Sequence, residues 1–153
     1  MALLERPAST IPSHWYFDAD HYQRELRAIW YRQWVCVGRE ENLEQTGDYF
    51  TTEIGDQGII VTRSAEGLRA FHNTCRHRGA RICTAETGRF RNGRIICPYH
   101  TWTYSLDGDL VATPNRLDTG SFEADRLSLY GVHLETWRGF IFVNLADQPD
   151  MSL

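Results

Sequence analysis

Two short segments constrain this chain more than anything else in it: Cys75-Arg76-His77 and Cys97-Pro98-Tyr99-His100. Each offers one thiol and one imidazole. Together the two thiolates and two imidazoles fit a 2Fe-2S cluster in which two Cys hold one iron and two His hold the other. Any fold that uses both segments must bring them together from opposite sides of one cluster, and a hairpin-rich β scaffold does that. Thiolate suits ferric iron and sulfide. Neutral imidazole leaves the second iron less negatively charged and raises the reduction potential above that of an all-Cys cluster. The pattern points to one-electron transfer, with Cys75, His77, Cys97 and His100 as ligands and no catalytic residue beyond them.

Other uses of the same four residues fit less well. A structural zinc site commonly pairs like with like, as Cys-x2-4-Cys and His-x3-5-His, whereas here each pair is mixed. Buried thiols and satisfied histidines with no metal would leave the spacing and the flanking residues unexplained. A zinc module is kept only as a remote alternative.

The flanks carry more information. Asn73-Thr74-Cys75-Arg76-His77-Arg78-Gly79-Ala80 and Cys97-Pro98-Tyr99-His100-Thr101-Trp102-Thr103-Tyr104, followed by Leu106-Asp107-Gly108-Asp109-Leu110, closely resemble the Rieske domain of ring-hydroxylating (Rieske non-haem iron) oxygenase α subunits. The resemblance runs from the helix near Phe17 through Glu53 and Phe71 to Phe140-Ile141-Phe142-Val143-Asn144-Leu145. In flavour it is nearest to members acting on small quaternary ammonium compounds. It implies a Rieske-type antiparallel β-sandwich with hairpin cluster-binding loops and one N-terminal α-helix. It also implies a reductase or ferredoxin as electron donor and a mononuclear-iron oxygenase domain or subunit as acceptor.

Two positions depart from related patterns. The family most often has Gly after the second His, and this chain has Thr101; a β-branched residue is strained at positive φ, so an ordinary backbone is expected there. Respiratory-type Rieske proteins place a disulfide-forming Cys three residues after the first ligand His, where this chain has Ala80, so no bracing disulfide is expected. Arg76, Arg78 and Arg81 crowd the first loop, and Arg89, Arg91 and Arg94 precede the second. They serve either internal pairing and loop bracing, the favoured reading, or attraction of an acidic partner. Tyr99 and Trp102, flanking His100, read as a hydrophobic cover for the cluster.

At 153 residues the chain suits one self-standing domain that buries about two-thirds of its unfolded surface. The expected organisation is an N-terminal segment with an amphipathic helix over 1–34, the 2Fe-2S domain over 35–145 and an exit linker over 146–153. A net charge of −4 gives no reason to expect nucleic acid or an anionic membrane as partner. Met1 to Trp15 lacks an apolar signal core, and no transmembrane run follows, so a cytoplasmic protein with Cys36 and Cys83 as free thiols is expected.

Asp18 or Asp20 can cap a helix on which Tyr22, Leu26, Ile29 and Trp30 form one apolar stripe, expected to cover the sheet. Beyond Val35 come short strands and turns. Tyr49 to Ile54 and Ile59 to Thr62 bracket Gly55-Asp56-Gln57-Gly58. Leu68 to His72 leads to the first cluster loop and Arg94 to Ile96 to the second, and Asp107-Gly108 turns the chain back. Ala112 to Asp125 reads as a surface connection, and two last strands, Val132 to Thr136 and Phe140 to Asn144, follow. His14, Asp18, Asp20 and His21 read as caps and solvated side chains rather than a second iron site, and His72 and His133 as structural.

Two functions fit. In the first the chain is the electron-transfer domain of a ring-hydroxylating-type oxygenase, with the catalytic mononuclear iron elsewhere. In the second it is a free-standing Rieske ferredoxin-type carrier. Either way the chain alone is expected to transfer electrons and not to oxygenate.

Overall fold

The computed structural model describes residues 10–114 and 124–153. The start of the Met1 to Trp15 stretch and most of the Ala112 to Asp125 connection lie outside the described residues. Among those described, no helix is long and apolar enough to cross a membrane.

The described residues form ten strands: β1 (Val35–Arg39), β2 (Asp48–Ile54), β3 (Gln57–Ser64), β4 (Gly67–His72), β5 (Thr87–Arg89), β6 (Arg94–Ile96), β7 (Thr103–Ser105), β8 (Leu110–Ala112), β9 (Gly131–Trp137) and β10 (Phe140–Asn144). Seven make one antiparallel sheet in the order β1-β10-β9-β4-β3-β2-β5, and β6-β7-β8 make a second. The fold is mainly β with one N-terminal helix, as the sequence pattern requires.

Hairpins set most of the register. Gly55 and Asp56 turn β2 into β3, pairing Ile54 with Gln57. Arg138 and Gly139, both at positive φ (50° and 81°), make the tight turn whose twist matches the strands β9 and β10 it joins. Both faces of β3 are dry. Ile59 and Val61 face a core with Leu43, Phe50, Ile141 and Val143. Ile60, between them, faces a second core with Phe71, Ile95, Trp102 and Tyr104 that also holds Cys75 and Cys97.

The helix is shorter and less buried than its stripe suggests. Asp18 caps it, accepting from the His21 backbone N–H at 2.7 Å. The α-helix α1 (Ala19–Glu25) then widens into a π turn over Leu26–Trp30. Only Leu26 is buried, while Tyr22, Ile29 and Trp30 are roughly half exposed. The expected cover over the sheet is therefore not made. The helix rests instead on the tip of the β2–β3 turn: a Cβ at Gly55 would lie 2.6 Å from Leu26 Cδ2, and Tyr31 donates to Asp56 Oδ1 at 2.6 Å. The rest of the stripe faces solvent. His21 stacks on Trp15 and pairs with Glu25 at 3.2 Å, so the residues of the helix start are used locally.

The last residues fold back on the body. Arg32 pairs with Asp150 at 3.1 Å, Trp34 Nε1 donates to the Met151 carbonyl, and the Leu153 N–H donates to Glu135.

Candidate metal centre

Two loops converge on one end of the second core, and the same pair of backbone bonds closes each. In the first, the Cys75 N–H donates to the Ala80 carbonyl at 2.8 Å, and the Gly79 N–H donates to the Cys75 carbonyl at 3.0 Å. In the second, the Cys97 N–H donates to the Trp102 carbonyl at 2.9 Å, and the Thr101 N–H donates to the Cys97 carbonyl at 3.0 Å. The residue four places after each Cys must turn left-handed to make this closure, and both do, Gly79 at φ 71° and Thr101 at φ 57°.

Thr101 is thus not in the ordinary backbone expected of it. Loop closure fixes its conformation, and the side chain adapts by donating from Oγ1 to the His100 carbonyl at 2.7 Å. A left-handed L residue costs about 1–2 kcal/mol, partly offset in a glycine variant by lost chain entropy. Thr101→Gly is therefore expected to stabilise the chain by about 1 kcal/mol, read as a higher urea midpoint. A lower midpoint would mean that the hydroxyl bond outweighs the strain.

The second loop is the tip of the β6–β7 hairpin, in which Ile96 pairs with Thr103. The first has no such partner strand, because β5 pairs with β2 rather than with β4. A side chain braces it instead. Asn73, 3% exposed, accepts from the Ile82 N–H at 3.0 Å and the Cys83 N–H at 2.8 Å, and donates to the Cys83 carbonyl at 2.7 Å. All four cysteines are free thiols, so this amide fastens the returning chain where a disulfide does not. Within the motif nothing but its position marks Asn73 for this task. A polar residue between a strand end and a ligand, in a loop that must fold back, was the available signal.

The donors divide by depth. Cys75 and Cys97 are 2% and 1% exposed, whereas His77 is exposed and His100 partly so. The imidazole rings meet edge to face, centroids 4.7 Å apart. Burial pushes the Cys75 thiol above its ordinary range, the Tyr104 hydroxyl pulls the other way, and the neighbouring Cys97 raises it again. Burial holds His77 below the usual histidine value, and His100 and Arg78 act in the same direction. Tyr104 is fully buried; its oxygen accepts from the Arg76 N–H at 3.2 Å and lies 3.3 Å from Cys75 Sγ. Trp102 stacks on His77 at 4.7 Å rather than on His100, which Tyr99 covers at 3.8 Å.

Among the described residues, no three His, Cys, Asp or Glu side chains gather closely enough to hold one ion. A structural zinc site, with four protein ligands on one ion, requires such a group. A two-iron cluster does not, since each iron takes two protein donors and the bridging sulfides supply the rest. The residues present fit that group: two thiols in a dry pocket and two imidazoles above them at the surface.

The arginines divide between the two readings. Arg76 braces the loop, donating to the Ser128 and Arg126 carbonyls and lying 3.6 Å over the Tyr130 ring. Arg81 pairs with Glu53 at 2.8 Å, and Arg89 with Asp48 at 2.5 Å, which holds the Asp48 carboxyl below its ordinary value. Arg78, Arg91 and Arg94 have no carboxylate partner among the described residues.

Comparison with known proteins agrees with this geometry. Residues 33–123 match the profile of the Rieske [2Fe-2S] domain. The oxygenase subunit of glycine betaine monooxygenase from Chromohalobacter salexigens is 41% identical over 142 residues, covering 92% of this chain and 31% of that protein. The oxygenase subunit of carnitine monooxygenase from Escherichia coli is 37% identical over 139 residues, covering 90% of this chain and 37% of that protein. The crystal structure of the quaternary ammonium Rieske monooxygenase CntA superposes with a TM-score of 0.85 at 32% identity, over 93% of this chain and 40% of that one. Naphthalene 1,2-dioxygenase superposes at 0.80. The chain spans about a third of the length of the curated relatives it matches. With a profile match over more than half of its length and two like-built loops converging on one end of a core, this chain belongs to the Rieske 2Fe-2S domain family, homologous to the N-terminal Rieske domain of oxygenase α subunits.

Proposed function

We propose that Cys75 and Cys97 hold one iron and His77 and His100 the other, and that the chain carries electrons from a reductase or ferredoxin to a mononuclear iron of an oxygenase domain or subunit. The observation that carries this reading is the division of donors by depth: buried thiols, surface imidazoles. The cluster, when bound, supplies reversible one-electron storage. The protein supplies its surroundings. The two buried Cys keep water from the sulfur side, Tyr104 presents its hydroxyl to Cys75, and Trp102 fixes the plane of the His77 ring. The exposed His77 edge is the shortest way out to a partner.

The domain limits follow the same reading, with 35–145 as the working unit, 1–34 as a helical preface and 146–153 as the exit segment. Relatives whose names specify glycine betaine and carnitine support a small quaternary ammonium compound as substrate of the associated oxygenase. The free thiols Cys36 and Cys83 are in keeping with a cytoplasmic setting.

The test is reconstitution of the chain with iron and sulfide under anaerobic, reducing conditions. The expected product holds iron and acid-labile sulfide in a one-to-one ratio, with its irons as a pair, and substitution of any of the four ligands removes or alters its visible spectrum. Full occupancy by zinc without sulfide would sink the assignment.

A further inference from the structure

We propose that the groove beside β6 is the docking surface for an acidic electron-donor protein, an inference that rests on the cluster assignment above. The groove encloses about 330 Å³, and its lining includes Arg89, Arg91 and Arg94 together with Tyr49, Phe90 and Ile96. No carboxylate is among the residues that line it. Asp48 takes up Arg89. Arg91 and Arg94 meet no carboxylate among the described residues, and the hydrogen bond of Arg94 is a long one to the Gly93 carbonyl, 3.4 Å. The chain as a whole carries a charge of −4, so this is a local reversal of sign. An acidic protein is repelled by most of the surface and drawn to this part of it.

The apolar residues give the approach something to settle on. Tyr49 and Phe90 stack at 4.3 Å, and Ile96 is 51% exposed, an apolar centre with charge beside it, as in protein interfaces. The position suits a donor. Ile96 immediately precedes Cys97, and at about 3.3 Å per strand residue the Arg94 backbone lies about 10 Å from that of Cys97. A partner seated here meets the site through the strand that carries a buried thiol. His77, on the exposed tip of the other loop, stays free for the acceptor, so donor and acceptor need not compete for one surface. Two arginines without a carboxylate partner among the described residues, on an acidic chain, are too few for a nucleic-acid backbone, which demands a broader basic surface.

The probe is a strongly acidic plant-type ferredoxin, titrated calorimetrically into the reconstituted chain at about 50 mM and about 500 mM salt, where screening is respectively weak and strong. Replacing Arg91→Glu and Arg94→Glu together is expected to raise Kd about tenfold or more at low salt, with parent and variant converging at high salt. The milder Arg91→Gln, Arg94→Gln pair falls between them. Arg78→Glu, beside the imidazoles, leaves Kd within about twofold. The rate at which the reduced ferredoxin passes one electron to the oxidised chain, itself becoming oxidised with no bond made or broken, falls in parallel with affinity. Reduction by dithionite does not change.

A double variant that binds like the parent at low salt overturns the proposal. So does a parent that shows no binding, or a loss of binding that follows Arg78→Glu instead. These outcomes are read on protein with an intact 2Fe-2S spectrum. A parent without that spectrum overturns the cluster assignment itself.

Discussion

Asn73→Ala is expected to destabilise the chain by about 2 kcal/mol or more, because two buried backbone N–H groups lose their side-chain acceptor at once, each costing roughly 1–3 kcal/mol when left unsatisfied, and a buried carbonyl that Arg81 Nε also reaches at 3.2 Å loses its shorter bond. The groups are the Ile82 N–H, the Cys83 N–H and the Cys83 carbonyl. Cys83 sits deep enough that burial pushes its thiol up to about 12, so water does not readily replace the missing amide. A loss of this size is a large share of the 5–15 kcal/mol that holds a typical domain together. The effect is also local, because the Asn73 backbone continues β4 by donating to the Gly58 carbonyl at 2.8 Å. The amide therefore ties the end of the sheet to the far limb of the first ligand loop. Urea unfolding of the apo chain measures the stability, and iron incorporated per chain measures the loop. A variant with an unchanged midpoint and full iron would show that the two backbone bonds of the loop suffice without the brace.

Tyr104→Phe is expected to lower the reduction potential by roughly 60 mV, which is the one-electron equivalent of about 1.4 kcal/mol. The Tyr104 oxygen accepts from the Arg76 N–H, which leaves its single proton free for Cys75 Sγ, 3.3 Å away. With the sulfur as thiolate, the tyrosine must be the donor. Such a bond strengthens as negative charge builds on the sulfur, so it favours the reduced state, and its loss favours the oxidised one. Burial pushes the tyrosine well above its ordinary range, and it stays a donor throughout the working pH. Protein-film voltammetry of parent and variant decides the matter. An unchanged potential with an intact spectrum would mean that the hydroxyl spends its proton elsewhere.

What could be read beforehand, and what could not, divides along physical lines. The proposed ligand set is written in residue type and spacing, and the structure brings Cys75 and Cys97 into one core with His77 and His100 edge to face beside them. Hairpins announced themselves through Gly55-Asp56 and Asp107-Gly108, and β6 and β10 have the limits their apolar runs suggest. Residue preference misplaces Thr101 because the closing bonds require a left-handed residue whatever its side chain. The stripe on the helix has the right period, but period says which residues share a face and not what meets that face. Leu26 alone is buried, against the β2–β3 turn at Gly55, and most of the stripe stays exposed. β5, Thr-Gly-Arg and exposed throughout, has no alternation to read; it exists because β2 offers it an edge. The bonds of Asn73 and Tyr104 span 9 and 29 residues, and such pairings are a matter of tertiary folding rather than local pattern.

The strand β3, dry on both faces, has a consequence for how the molecule comes apart. Residues Ile59, Ile60, Val61 and Thr62 are all fully buried, so their amides have no direct route to deuterium while both cores stand. One core holds the curled sheet together and the other surrounds the ligand sulfurs, and β3 is a party wall between them. A partial opening that frees one room strips one face of the wall and leaves the other covered. The β3 amides are therefore expected to exchange among the slowest in the domain, whereas the two loops around the ligand sulfurs, at the surface, can open first without taking the wall with them.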